Sequence, residues 1–265
     1  MEKNFLTPEE TAKVLIEVSR KKSKMSVVNM ILLGIFAGIY IGLGAQGSIT
    51  VMQTLRNIDT GLMRFMGAVV FPVGLMMVVL CGAELFTGNN LMVIGLLDKK
   101  ISFKDLLRNW FAVYFANFIG SVLLAIIMVK SGILNSKMIE TAIGIASGKM
   151  SLSYSQAILR GTLCNFLVVV AVWMSTAARD VVSKIFSCLF PIMLFVLSGY
   201  EHSIANMYFI PLAKFLGFSV SWWEIFLKNL LPVTLGNLIG GAIMVPFVYY
   251  YCYINEDRKN DFKTA

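Results

Sequence analysis

The chain has 265 residues, 57% hydrophobic and only 14% charged, where a soluble domain carries about 25% charged residues. Its mean hydropathy of +0.75 excludes a soluble globular domain. The formal charge of +8 does not point to nucleic acid, because the basic residues gather at the edges of apolar spans and not in a patch with interleaved aromatics. The apolar stretches are helix-length and lack the alternation of barrel strands, so the fold class is an all-α integral membrane protein.

Residues 1–26 hold Glu2, Glu9, Glu10 and Glu17 among lysines and so lack the unbroken apolar core of a signal peptide. Thr7-Pro8-Glu9-Glu10 has the form of a capping box, with Thr7 as cap, Pro8 at the first helical position and Glu10 reaching back to the free amide. The helix that follows sets Val14, Leu15 and Val18 against Lys13, Glu17, Arg20 and Lys21. This amphipathic pattern is expected to lie along the membrane surface or against a neighbouring subunit.

Residues 27–254 form the expected membrane domain of six spans: Val27 to Met52, Gly67 to Leu97 (broken), Leu106 to Val129, Gln156 to Thr176, Val181 to Phe218 (broken) and Asn229 to Tyr253. Residues 255–265 are a tail. One side carries Lys3, Lys13, Arg20, Lys21, Lys22, Lys24, Lys99, Lys100, Lys104, Arg108, Arg179, Lys184, Arg258, Lys259 and Lys263. The other has Arg56, Arg64, Lys130, Lys137, Lys149, Lys214 and Lys228. Fifteen against seven puts both termini in the cytoplasm; Arg160 falls inside a span and is not counted.

The third and sixth spans repeat each other. Leu107 to Gly120 aligns with Leu227 to Gly240 at a constant offset, with Leu, a basic residue, Asn, Val, Asn, Ile and Gly recurring in register. The two broken spans also match. Gly82-Ala83-Glu84 and Gly199-Tyr200-Glu201 are each preceded by Phe-Pro (Phe71-Pro72, Phe190-Pro191) and followed by Asn five residues after the Glu (Asn89, Asn206). Two copies of a three-helix unit imply an inverted repeat about a pseudo-two-fold axis in the membrane plane, with the breaks meeting near the bilayer middle, an aquaporin-like arrangement.

A non-helical break at membrane depth is tolerated only inside protein or beside a watery cavity, so each break marks a pathway. Half-helices starting near Thr87 and Ser203 present unpaired amides and a positive dipole end, which favours an anion, and Thr87 and Ser203 are the residue types expected to cap them. His202 is the chain's single histidine and sits at the expected midplane, where an ionisable side chain is costly and functional by default. An arriving anion would recruit a proton onto it. Glu84 and Glu201 are expected to accept backbone amides at the breaks and fix the loops, with tuning of His202 by Glu201 as the other reading. Gly34, Gly38, Gly42, Gly236, Gly240 and Gly241 suit close helix packing. Cys81, Cys164, Cys188 and Cys252 read as small buried hydrophobes. One histidine, no His-Glu-x-x-His and no clustered cysteines make a metal site, a cofactor or catalysis unexpected.

At Gly82-Ala83-Glu84-Leu85-Phe86-Thr87, Ala171-Val172-Trp173-Met174-Ser175 and Gly199-Tyr200-Glu201-His202-Ser203-Ile204-Ala205-Asn206-Met207, the chain resembles the formate/nitrite transporter family over nearly its whole length. The resemblance implies an anion channel with an aquaporin-like fold, assembled as a homopentamer with one pore per protomer. It implies that Thr87 and His202 form a central polar site, with Asn165, Glu201 and Asn206 in its hydrogen-bonding surroundings and Lys149 attracting anions. It further implies that Phe71, Leu75, Leu85, Phe86, Val168 and Phe195 narrow the pore on either side of the histidine. Thr87-Gly88-Asn89-Asn90 departs from the Thr-Ser-Thr-like continuation of formate channels and is closer to the hydrosulfide channel branch.

The expectation is thus a passive channel for small monovalent anions of weak acids in the cell membrane, surrounded by lipid: hydrosulfide first, then formate and nitrite. Either His202 lends its proton and the neutral acid crosses, or imidazolium escorts the ion. A neutral-solute channel of aquaporin type is the runner-up, although both breaks lack Asn-Pro-Ala. An intramembrane enzyme or a structural scaffold stands further behind.

Overall fold

The computed structural model describes residues 5–255 and every side chain among them except that of Arg56. Glu2, Lys3 and the basic residues Arg258, Lys259 and Lys263 of the tail lie outside the described residues. The fold is helical, and among the described residues the extended pairing is limited to one bridge between Phe5 and Ala178. In chain order the helices are α1 Pro8–Ser23, α2 Val27–Met52, α3 Thr60–Cys81, α4 Gly88–Leu97, α5 Phe103–Lys130, α6 Ser136–Met150, α7 Tyr154–Ala177, α8 Val181–Leu197, α9 Ser203–Phe215 and α10 Trp222–Asn255.

Short polar side chains start most of them. Thr7, Ser102, Ser153 and Ser221 make reciprocal capping boxes with Glu10, Asp105, Gln156 and Glu224, while Ser26, Asp59, Asn135 and Asp180 accept one amide each. Five helices, α2, α3, α5, α7 and α10, are long and apolar enough to cross a membrane; α4 and α8 are shorter. Large apolar side chains point outward along them, Phe111 at 74% exposure among them, as lipid- or protein-facing surface requires.

Several sequence expectations need correction. The second span begins at Thr60, not Gly67, because Asp59 caps it and Arg64 is carried on an exposed face. The sixth begins at Trp222, not Asn229, since the Ser221 box and a Lys228–Glu224 pair hold its first turns. Helix α6 was not expected, because its Ser, Gly, Lys and Glu content hides the stripe Met138, Ala142 and Ala146 that it buries. Helix α1 buries one face on its own chain, a packing the sequence did not suggest: Ala12, Leu15 and Ile16 are buried against Leu91, Ile94, Val169 and Trp173. Of the cysteines, Cys164 and Cys188 are buried as expected, but Cys81 and Cys252 are exposed.

The bundle is held by two close helix pairs, α2 with α5 and α7 with α10. A Cβ at Gly120 would stand 2.0 Å from the Ile35 carbonyl oxygen, and one at Gly240 2.0 Å from that of Thr162, so each crossing requires glycine. Helix α9 is buried from Ser203 to Ala213, packed among α2, α5 and α6. A single offset, longer than that between the third and sixth spans, relates Lys22, Ser26 and Gly34 to Lys149, Ser153 and Gly161, so α1 and α6 occupy corresponding places before α2 and α7.

Candidate functional site

Both breaks open on a glycine in the left-handed region, Gly82 at φ 79° and Gly199 at φ 72°, a conformation that ends a helix at little cost without a Cβ. The peptide groups that follow are pinned by asparagines on the long helices. Phe86 N–H donates to Asn117 Oδ1 (2.9 Å), and Asn117 Nδ2 donates to the carbonyls of Glu84 (2.9 Å) and Gly34 (2.8 Å). In the second break, Ser203 N–H donates to Asn237 Oδ1 (2.9 Å), and Asn237 Nδ2 donates to the carbonyls of Glu201 (2.9 Å) and Gly161 (2.9 Å). The backbone amides of the breaks are thus held by Asn117 and Asn237, and not by Glu84 and Glu201 as expected from sequence. A side-chain amide offers both donor and acceptor to a severed peptide edge, whereas a carboxylate only accepts.

Each carboxylate is instead buried in a polar relay. Glu84 takes Lys22 Nζ and Asn89 Nδ2 (2.7 Å), and Asn89 also donates to Asn109 Oδ1 (2.8 Å). Glu201 takes Lys149 Nζ at 3.1 Å on both oxygens and Asn206 Nδ2 (2.7 Å), and Asn206 donates to Asn229 Oδ1 (2.8 Å). Pairing and hydrogen bonding are what make such buried charges tolerable. Lys149 also lies 5.5 Å from the Phe209 ring centroid.

Between the two relays, Thr87 Oγ1 and His202 Nε2 approach to 2.8 Å. His202 is also the cap of α9: its Nδ1 accepts the Ala205 N–H at 3.2 Å. Nδ1 is therefore unprotonated, and Nε2 carries the proton and donates it to Thr87. A second proton has only Nδ1 to go to, which would break the cap. Neither expected cap forms: Thr87 makes no capping bond, and the Ser203 hydroxyl has no partner among the described residues. Asn165 stands behind Thr87, donating to Asn90 Oδ1 (2.7 Å), the Asn237 carbonyl (2.8 Å) and, at 3.4 Å, the Thr87 carbonyl.

Phe71, Leu75, Leu85, Val168 and Phe195 do come together with His202, joined by Ile41 and Ile192, around a cavity of about 10 Å³. This is barely room for one water molecule. Phe195 stacks on the imidazole at 5.9 Å and meets Phe71 edge-on at 5.6 Å. Leu75 and Leu85 also line a vestibule of about 470 Å³ between α1 and the first break, where Lys22 and Glu84 face it. Phe86 does not line this small cavity, and its ring packs edge-on against Trp110 and Tyr114. Thr87 is fully buried and lines neither cavity, so it orients His202 from behind.

Lys22, Asn117, Asn237, Ile41 and Ile192 were missed as site residues. The constant spacing that pairs Lys22 with Lys149 was the available signal for Lys22, and the recurring asparagines of the third and sixth spans were the signal for Asn117 and Asn237.

The formate/nitrite transporter model matches residues 9–251 of the chain. The chain belongs to the formate/nitrite transporter family. As a family member it is 40% identical over 275 residues, 97% of this chain and 100% of the other, to a protein of Methanothermobacter thermautotrophicus named a probable formate transporter. Over 275 residues it is 32% identical to the formate channel FocA of Escherichia coli K12, covering 96% of each. A solved structure described as a pentameric formate channel with formate bound has a TM-score of 0.78 at 32% identity, covering 86% of this chain and 98% of that one. Membership and the long apolar helices make this transporter-family channel a multi-pass membrane protein.

Proposed function

We propose that the protein is a passive channel for small monovalent anions of weak acids, of which formate is favoured. The observation that carries this reading is the Thr87–His202 contact where the two breaks meet, beside a cavity too small and too apolar for a hydrated ion. An anion drawn to the Lys22 or Lys149 mouth would meet walls that strip its water, and an unpaired charge there is very costly. The neutral acid is the species suited to that passage. His202, already holding its proton on Nε2 and committed as a cap through Nδ1, acts as a neutral, ring-fixed gate post, and the anion takes its proton from hydronium in the bulk solution, so the outside pH sets the fraction that crosses as neutral acid.

In this reading Lys149, Asn165, Glu201 and Asn206 support the pathway with Thr87 and His202, and Phe71, Leu75, Leu85, Val168 and Phe195 constrict it. Residues 1–26 form a cytoplasmic helix, 27–254 six spans as two inverted repeats, and 255–265 a cytoplasmic tail. The protein resides in the cell membrane as a homopentamer, with one pore in each protomer. Relatives named for formate are the support for putting that anion ahead of hydrosulfide and nitrite, and the Thr87-Gly88-Asn89-Asn90 tetrad is the support for hydrosulfide as the second reading.

The test is flux of formate, hydrosulfide and nitrite into proteoliposomes, side by side, for the native chain and His202→Phe at two pH values. Formate influx that rises as pH falls, and that His202→Phe lowers strongly at both pH values, is the expected result. Unchanged flux with unchanged pH dependence removes His202 from the mechanism, and water permeation without anion flux removes the channel reading altogether.

A further inference from the structure

The two Lys–Glu–Asn–Asn relays share the same bonds except at one place. On the α6 side the relay closes into a ring: Lys149 Nζ donates to Glu201, Asn206 joins Glu201 to Asn229, and Asn229 Nδ2 donates to the Lys149 carbonyl at 3.1 Å. That carbonyl belongs to the last turn of α6, where helical partners run out. The ring thus grips Lys149 at both its backbone and its ammonium. On the α1 side Asn109 occupies the place of Asn229, buried and accepting from Asn89, yet its Nδ2 has no partner among the described residues. The end of α1 is held instead by Arg108, whose Nη2 donates to the Ser23 carbonyl and, at 3.5 Å, to that of Met25.

The residues one turn away account for the difference. Lys228, which corresponds to Arg108, is tied to Glu224 at 2.9 Å, but the position corresponding to Glu224 is Lys104, and the carboxylate three residues before Arg108, Asp105, is bonded to the Ser102 amide and hydroxyl in the capping box, which leaves the Arg108 guanidinium to reach the end of α1. A planar guanidinium spanning two carbonyls at a helix end does what a lysine there does not.

We propose that Asn229 is a positioning residue for Lys149, acting by closing this ring, and that Lys22 is positioned from outside its relay by Arg108. The inference rests on the reading of both lysines as anion-attracting groups at the channel mouths. It makes the α6 mouth the rigid one and ties the α1 mouth to a single side chain on α5.

Asn229→Asp and Asn109→Asp make the same atomic change at corresponding buried sites. The first keeps the acceptor for Asn206 and loses the bond to the Lys149 carbonyl; the second loses no bond to the described residues. Hydrogen–deuterium exchange of the full chain in detergent is expected to speed up about five-fold in the last turn of α6 for Asn229→Asp, the size of one hydrogen bond. Asn109→Asp is expected to leave the α1 end as in the native chain, whereas Arg108→Gln speeds exchange there and Arg108→Lys recovers only part of the protection. In formate flux, Asn229→Asp raises the half-saturating concentration several-fold with a maximal rate within about two-fold. Equal effects of the two Asp variants, or unaltered α6 exchange in Asn229→Asp, overturn the proposal. If either Asp variant fails to assemble, Asn229→Ser, too short to reach the carbonyl, and Asn109→Ser give the same comparison. A native chain that passes no anion sinks the channel reading alone, because the exchange comparison still decides the positioning.

Discussion

Replacing Asn237 with leucine keeps the branched shape of the side chain and removes the three hydrogen bonds that it makes at the second break. The Ser203 N–H loses its acceptor and the Glu201 carbonyl its donor, both buried. The Gly161 carbonyl loses a second partner only, since it lies within α7. Two orphaned buried groups at about 1–3 kcal/mol each amount to about 4 kcal/mol. In a chain of this size that lowers the melting temperature by about 10 °C. The assay is thermal unfolding of the purified protein in detergent, followed by tryptophan fluorescence and by recovery of assembled protein on size exclusion. Asn237→Asp, which keeps the acceptor and loses both donated bonds, is expected to fall about halfway. Asn117→Leu, which strips the equivalent three bonds from the first break, is expected to match Asn237→Leu. A loss below about 2 °C in either leucine variant refutes the assignment of these asparagines as the pins of the breaks.

Three further outcomes are open to measurement. Phe195→Ala removes the ring that stacks on His202 and meets Phe71 edge-on, so acetate should gain on formate in flux assays; truncation of a buried Phe also costs about 3 kcal/mol, read as a lower melting temperature. Gly240→Ala forces a Cβ against the Thr162 carbonyl oxygen and should block assembly of α7 with α10, whereas Gly148→Ala, with open space around it, should be tolerated on size exclusion. The Asp180 carboxyl that caps α8 is held below its ordinary range by its bonds to Ser183. Its contribution is therefore present above the ordinary aspartate value and is lost as pH falls through the depressed one. Exchange at the first amides of α8 should rise on acidification in the native chain and not in Asp180→Asn.

The transmembrane architecture was legible because lipid demands long apolar runs, and because Gly82, Glu84, Asn89 and their counterparts Gly199, Glu201 and Asn206 stand out against such runs. Helix α6 was illegible by hydropathy, since a short amphipathic helix buried against its own chain needs only one narrow apolar stripe. Its counterpart α1 was read, and carrying the internal repeat one helix further back would have found it. Which side chain serves a broken backbone is a question of reach: Glu84 and Glu201 sit in the loops themselves, while Asn117 and Asn237 approach from packed helices. Sequence adjacency favoured the wrong pair. The cap on α9 was misplaced by one residue for a related reason, since histidine is seldom chosen over serine for that position.

The polar contact at the centre has a further consequence. The spacing that carries Glu84 to Glu201 and Asn89 to Asn206 carries Leu85 to His202 and Thr87 to Ile204. Each partner of the hydrogen bond therefore has an aliphatic residue as its opposite number. A molecule built from two identical copies would have formed this bond twice or not at all. Divergence at two positions leaves it formed once, so in the proposed pathway a solute entering from the Lys22 side and one entering from the Lys149 side would meet Leu85 and the imidazole in opposite order. The scaffold repeats, and the contact at its centre does not.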